Sequence, residues 1–483
     1  MKDLGISVKQ TEDFSEWYVQ CVIKGELVDY APVKGFIALK PYGYAIWEII
    51  KSSIDAELKK TGHQNGFLPI LIPESLISKE QQHFSGFEPE VFWVTKSGNN
   101  ELSDRLAVRP TSETIAYSMF SNWISSYRDL PLKMNFWNSA LRAEIKSTRP
   151  LLRNSEFLWQ EGHTAHESEA EADAEVMTIL ESYRSITENL LSIPTIAGFK
   201  SDREKFVGAK YTTCLESLMG DGKALQMATS HQLGQNFSKP FDIKYLGDDM
   251  VEHFVWQTSW GISWRLIGAV VMVHGDDKGL ILPPQIAPTQ VVIVPIFREE
   301  NKTFIFSKID EISKFVENCG IRVYVDKREE YTAGWKYNEW EVKGVPVRLN
   351  IGPRDINNNS VEVVRRDTGQ KKLLKIKDLC VELQTLLNEI QGNLFNEAKK
   401  KLCDNIRDSD DLESLGAILD RYGGFVSSYW CGRNECEDKV KEKTGADIRV
   451  IPFEHDLDLP TVSKKCIICS SDTTKRVFFG RAY

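Results

Sequence analysis

In KPYGYAIWEIIKSSIDAELKKTG (40–62) apolar residues recur every three or four positions, which predicts an amphipathic helix, and FLPILIP (67–73) behind it reads as a strand. A second helix is predicted over ESEAEADAEVMTILESYRSITENLL (167–191), with acidic first turns that suit a helix N-terminus. Between them, a strand pattern from Arg142 to His166 carries a dense set of charged groups. The run TSWGISWRLIGAVVMVHGD has a helix-like pattern leading into a glycine-containing turn, yet its apolar centre IGAVVMV (267–273) reads as at most a buried strand. The segment ILPPQIAP (281–288) has three prolines and reads as a linker. After it strands and helices alternate: TQVVIVPIF, TFIFSKIDEISKFVENC, IRVYVD, AGWKYNEWEVKG and VPVRLNIGP. That alternation predicts an α/β domain with a partly parallel sheet, followed by a long helix at about 375–406. The chain is thus divided into 1–283, 284–392 and 393–483.

Composition narrows the class. A chain of 483 residues with 42% hydrophobic content can fill several cores and is not a disordered polymer. Its formal net charge of -9 does not exclude a nucleic-acid partner, because local patches decide that. The N-terminal MKDLGISVKQTEDF resembles neither a signal nor a transit peptide, and no apolar run reaches membrane-spanning length, so a soluble cytoplasmic protein is expected.

There are nine cysteines. Cys21, Cys214, Cys319, Cys380 and Cys403 are scattered and read as reduced, small buried side chains. Cys431, Cys436, Cys466 and Cys469 form two close pairs, the spacing one tetrahedral zinc requires, with two disulfides as the alternative. Four thiolates leave no open position for water, so the zinc would be structural.

No GxxxxGK[ST] and no strand-linked GxGxxG occurs, which removes two familiar routes to nucleotide binding. Arg142, Arg153 and Arg265 are the candidate cations for a triphosphate; singly, each could be a surface ion pair. RPTSET (109–114) offers Thr111 and Glu113, although an ordinary helix cap by Thr111 or Ser112 is the favoured local reading. His163 and His231 alone would be ordinary histidines, and His166 has no assigned role.

Taken together, these stretches resemble a known family. RAE at Arg142–Glu144, with Arg153 and Phe157 downstream, resembles motif 2 of class II aminoacyl-tRNA synthetases; SWGISWR resembles motif 3, and the 40–62 helix with Pro69 resembles motif 1. RPTSET, EFLWQEGH, QMATSHQLGQNF, GWKYNEWEVKGVPVRLNIGPRD and the four-cysteine tail are similar to prolyl-tRNA synthetases of the archaeal and eukaryotic type.

The resemblance implies an α+β catalytic domain with an antiparallel sheet flanked by helices, an α/β anticodon-binding domain and a small α/β zinc-containing C-terminal domain. It implies two-step attachment of L-proline to tRNA(Pro) through prolyl-adenylate, with ATP, magnesium and one structural zinc, in a homodimer. ATP would be held by Arg142, Glu144, Arg153, Phe157, Gln226, Thr229, Ser263 and Arg265, with Arg142 and Arg265 as the catalytic pair. Proline would meet Thr111, Glu113, Arg142, Trp159, Glu161, His163 and His231; magnesium would lie near Gln226 and Glu216. Glu341 and Arg348 would read the anticodon, with Lys336, Lys343 and Arg354 on phosphates.

Four positions depart from the family pattern: Ala143, Asn154, Ser155 and Trp264. The large editing insertion of the bacterial form has no room between Arg153 and Arg265. Rival readings are a non-catalytic tRNA-binding paralogue, a zinc-dependent nucleic-acid binder, and a synthetase for another small amino acid. Proline-dependent ATP–pyrophosphate exchange separates all of them.

Overall fold

A computed structural model describes residues 5–83, 91–143, 148–453 and 463–483. The sheet that carries the site is formed by β1 (Gln64–Gly66), β2 (Leu132–Leu141), β3 (Glu156–His166), β4 (Ile196–Phe199), β5 (Tyr211–Leu218), β6 (Ala224–Gly234) and β7 (Trp256–Ser263). Its strands run antiparallel except where β1 joins β2. Helices α1 (Pro41–Lys60), α2 (Glu113–Trp123), α3 (Glu169–Ser185) and α4 (Arg265–His274) flank it.

The motif-1 helix forms as the pattern predicts: Pro41 starts it, and Ile46, Trp47, Ile50, Ile54 and Leu58 bury one face. On the back of the sheet the indole of Trp260 lies directly on Gly162, where a Cβ would come within 2.0 Å of the ring. Any other residue at position 162 would force strand and indole apart, so this glycine fixes the registry of β3 and β7 against the helical layer.

The second domain holds β8 (Val291–Pro295), β9 (Val323–Val325), β10 (Val347–Ile351), β11 (Ser360–Arg365) and β12 (Lys371–Lys375) in the order β9-β8-β10-β11-β12. The first three are parallel and the last two antiparallel, as alternation with α5 (Lys302–Glu317) and α6 (Ala333–Val342) requires. Helix α7 (Leu379–Asp404) then runs without a break across position 393. The C-terminal part contributes β13 (Ile406–Asp408), β14 (Phe425–Tyr429), β15 (Asp447–Pro452) and β16 (Arg476–Gly480), with α8 (Asn434–Thr444). These strands extend the site-bearing sheet instead of forming a separate one. β15 pairs with β4 through Ile451–Phe199, giving the order β13-β14-β16-β15-β4-β5-β6-β7-β3-β2-β1.

Several expectations are corrected. Residues 267–273 lie in the helix α4, not in a strand; a uniformly apolar run has no periodicity to separate the two. Within 67–73 only Leu71–Pro73 pairs as a strand. The run from Arg142 to His166 becomes strand only at Glu156. The predicted helix 167–191 is α-helical to Ser185 and closes in a π turn.

The supposed linker is buried: Leu282, Ile286 and Ala287 are inside, and Arg322 donates to the carbonyls of Pro284 and Ala287. Cys319 and Cys380 are joined by a disulfide, because α5 ends where α7 begins and brings their Cα atoms to 5.8 Å; Cys403 is exposed. Among the described residues no helix is long and apolar enough to cross a membrane.

Candidate active site

Strand alternation brings Phe157, Trp159, Glu161 and His163 of β3 onto one face, beside Thr229 and His231 of β6 and Ser263 of β7. They line a cleft of about 420 Å³ that also takes in Thr111, Glu113, Arg142, Arg153, Gln226 and Arg265. The cleft has two electrostatically opposite ends.

At the first end, the guanidinium of Arg142 lies 5.1 Å from the Phe157 ring and 5.9 Å from the Trp159 ring, while its Nε donates to Pro110 O at 3.3 Å. Arg265 begins α4; its Nε donates to Leu152 O and its backbone N–H to Ser263 Oγ, both at 3.3 Å. Burial lowers the Arg265 guanidinium to about 10, and the charges of Arg142 and Arg153 push it the same way. Arg153 is exposed at the cleft edge. Three cations that repel one another around a partly buried space form a site for a polyanion.

At the other end, Glu161 is buried and accepts from Asn138 Nδ2 at 2.8 Å, from Ser112 N–H at 3.1 Å and from the Ser112 hydroxyl. Its carboxylate faces His163 Nε2 at 3.4 Å, and His163 Nδ1 shares a hydrogen bond with Tyr117 OH at 3.1 Å. Burial alone would raise Glu161 and lower His163. Their mutual contact overrides it in both, holding Glu161 below the usual carboxylate value and His163 above that of a free imidazole.

Thr111 donates to Glu113, and one ligand atom from each of Glu113, Glu161 and His163 falls within a 4.8 Å cluster. Two carboxylates beside a single imidazole make this the acidic end of the cleft. His231 is pushed down to about 3 by burial and by His163, so it is neutral; it shares a hydrogen bond with Thr212 at 2.9 Å and packs on Phe206.

The cap expected at RPTSET is not made by side chains: α2 starts at Glu113, but Ser112 bonds Glu161 and Thr111 bonds Glu113. Glu216, expected near magnesium, is the cross-strand partner of Gln226. It is fully buried outside the cleft lining, with its carboxylate held by Lys200 at 2.6 Å and Arg449 at 2.8 Å. Glu144 lies outside the described residues. Trp264 is buried in the cleft wall and Ala143 is exposed.

Sequence reasoning missed Phe206, Glu204, Asn138 and Tyr117, which line or brace the cleft and sit in no motif with recognisable spacing; Tyr483, the end of the four-cysteine tail, also lines it.

Four cysteine Sγ atoms, of Cys431, Cys436, Cys466 and Cys469, lie within 4.8 Å of one another, with edges of 3.6 and 3.7 Å measured to Cys431. A zinc–thiolate tetrahedron has edges of about 3.8 Å, so the donor set fits, and no disulfide joins these thiols.

In the second domain Arg348 stacks on Tyr337 at 4.0 Å and faces Glu341 at 4.0 Å, so the two predicted readers are neighbours. The expected phosphate contacts are corrected in two cases. Lys336 is buried with Nζ on Asp326 O at 3.0 Å, and Lys343 is paired with Glu26 at 2.8 Å and Glu339 at 3.3 Å. Arg354 is exposed.

Family models match in three places: the class II tRNA synthetase core domain (G, H, P, S and T) over residues 92–274, an anticodon binding domain over 290–386, and the prolyl-tRNA synthetase C-terminal domain over 412–483. A proline–tRNA ligase of Cenarchaeum symbiosum is 54% identical over 99% of this chain and 100% of its own. One of Natranaerobius thermophilus is 50% identical over 98% and 97%. The crystal structure of prolyl-tRNA synthetase from Cryptosporidium parvum complexed with halofuginone and AMPPNP superposes with a TM-score of 0.94. It is 41% identical and covers 99% of this chain and 100% of that one.

Proposed function

The chain belongs to the prolyl-tRNA synthetases, class II enzymes that charge tRNA with proline, and we propose that the arginine end of its cleft takes ATP and the acidic end takes proline. The observation that carries this reading is the charge polarity of one sheet face: three arginines at one end, Glu113, Glu161 and His163 at the other.

Arg142, the arginine that also faces the Trp159 ring, holds the α-phosphate beside the proline carboxylate. Phe157 stacks the adenine, with Glu144 as its hydrogen-bonding partner. Arg153 and Arg265 hold the γ-phosphate, and Thr229, Gln226 and Ser263 complete the nucleotide contacts. The proline ammonium donates to Thr111 and Glu113, and its ring lies among Trp159, His163 and the neutral His231. Glu161 acts through Ser112, Asn138 and His163, fixing their orientation.

A proline carboxylate oxygen attacks the α-phosphorus; the bond to the bridging oxygen breaks and pyrophosphate departs with its charge on the arginines. The terminal ribose hydroxyl of tRNA(Pro) then attacks the adenylate carbonyl and AMP leaves. Positioning and charge stabilisation suffice, with no covalent enzyme intermediate. Class II synthetases use ATP with magnesium, which supplies further charge screening of the phosphates; Gln226 is the cleft residue offered to it. Zinc held by the four cysteines is structural. Glu341 and Arg348 read guanines of the anticodon.

Phe67, Ile70 and Leu71, exposed just beyond β1, support the homodimer reading, with Phe67 82% exposed. The test is proline-dependent ATP–pyrophosphate exchange. Arg265→Gln is expected to reduce kcat about 10²–10³-fold, and Glu113→Gln to raise the KM for proline. Full exchange in Arg265→Gln would remove the nucleotide assignment.

A further inference from the structure

The last turn of α6, which carries Glu341, is fastened to the catalytic domain. Leu280 N–H donates to Val342 O at 3.0 Å and Leu282 N–H to Gly344 O at 3.1 Å. The Tyr42 hydroxyl donates to Lys343 O at 3.2 Å. Two backbones meet here without side chains between them: a Cβ on Gly279 would lie 2.8 Å from Val342, and one on Gly344 2.6 Å from Leu280.

Arg366, just past β11, sits across this junction. Its Nε donates to Glu341 O at 2.9 Å, and its two terminal nitrogens donate to both carboxylate oxygens of Asp276 at 2.6 and 2.8 Å. The Arg366 side chain is 3% exposed and that of Asp276 40%, so the fork is buried on the guanidinium side and its two-pronged geometry fixes the direction of the contact. Asp276 lies two residues beyond α4, the helix that begins with Arg265. The Asp276 carbonyl is itself pinned, accepting from Trp17 Nε1 at 2.9 Å. One guanidinium therefore holds both the backbone of a base-reading residue and the tail of the helix that presents an ATP arginine.

We propose that Arg366 is a positioning residue that couples anticodon occupancy to the chemical step. A shift of Glu341 on taking its base is passed through the guanidinium to Asp276 and along α4 to Arg265. The inference rests on the reading of Glu341 as an anticodon contact. The backbone bonds at Val342 and Gly344 do not involve Arg366, so its substitution leaves the domains docked. Coupling of this kind is a measurable interaction between two sites, not a matter of distance alone.

The full chain is assayed with a tRNA(Pro) transcript and with the same transcript carrying adenine in place of the anticodon guanines. In the parent the altered anticodon lowers kcat and raises KM. In Arg366→Lys, proline-dependent exchange without tRNA is expected to be unchanged and the KM penalty to persist. The kcat penalty is expected to shrink roughly tenfold, because cognate tRNA no longer gains its advantage. Asp276→Asn should behave alike, and the double variant should add nothing. An unchanged kcat penalty in both variants overturns the coupling, as does a parent penalty lying wholly in KM. Loss of exchange in Arg366→Lys overturns it too, making Arg366 a contact of the fold. Glu341→Gln separates the premise: discrimination that survives this change removes the base-reading role, whereas discrimination lost there with an intact kcat penalty in Arg366→Lys removes only the coupling.

Discussion

Arg449, on the strand that joins the C-terminal part to the catalytic sheet, donates to the buried carboxylate of Glu216 at 2.8 Å. Lys200 donates to the same oxygen at 2.6 Å, and Arg449 also reaches the cleft residue Glu204 at 3.6 Å. Removing one partner from a buried charge cluster costs about 3–5 kcal/mol. Arg449→Met is therefore expected to lower stability by ~3 kcal/mol, read from the denaturant midpoint at constant slope. An effect of only a few tenths would mean that Lys200 alone satisfies Glu216.

The His163–Glu161 pair sets a pH window. His163 is raised in the folded state, so its contribution is fully present below the free-imidazole value of 6.5 and is lost as pH rises through the folded value. Glu161 is lowered from 4.5, so its contribution is present above that value and is lost as pH falls through the folded value. The Tm advantage of the parent over His163→Gln should thus be largest near pH 6 and shrink as pH rises from there. A pH-independent difference would refute the ion pair.

The cysteine cluster should bind one zinc per chain in native mass spectrometry, and chelation should expose Cys431, Cys436, Cys466 and Cys469 to a thiol reagent together. Because β15 is hydrogen-bonded to β4, metal removal is expected to lower aminoacylation as well as Tm. A metal-free chain with unchanged Tm would contradict this.

A cleft walled by Trp159, His163 and His231 rejects bulk, but each missing methylene is worth only about 1–3 kcal/mol, and alanine lacks two of proline's ring carbons. Between β3 and β7 the described elements are strands of the catalytic sheet, its helices and one short two-stranded ribbon at 244–254, with no added domain. Alanine should be activated measurably, and alanyl-tRNA(Pro) should survive incubation with the enzyme. Rapid deacylation by the purified chain would contradict this.

What the sequence disclosed follows from local spacing. Phe157, Trp159, Glu161 and His163 alternate, so their shared face was visible once β3 was recognised. The cysteines declared themselves by pair spacing, and the motif-1 helix by its apolar stripe. The ion pairing of Glu216 was not legible because its partner Arg449 lies more than two hundred residues away, and no local pattern reports such a pairing. Lys336 was expected on a phosphate, yet its Nζ is buried against the Asp326 carbonyl. The prolines of 281–288 signal an irregular backbone, which is correct; they carry no information on whether that backbone is inside or outside. Phe206 and Asn138 reach the cleft only through tertiary packing.

That buried connection has a mechanical consequence. Leu282, Ile286 and Ala287 lie inside, and the backbone from Leu280 to Leu282 is bonded to α6, so the junction between the two ends of the enzyme has little freedom to bend. The protein therefore works as a fixed caliper. The overall span from anticodon contact to adenylate is set by the protein, the movement left to a bound tRNA is the small shift of Glu341 relayed by Arg366, and an RNA of the wrong reach must supply any larger deformation itself.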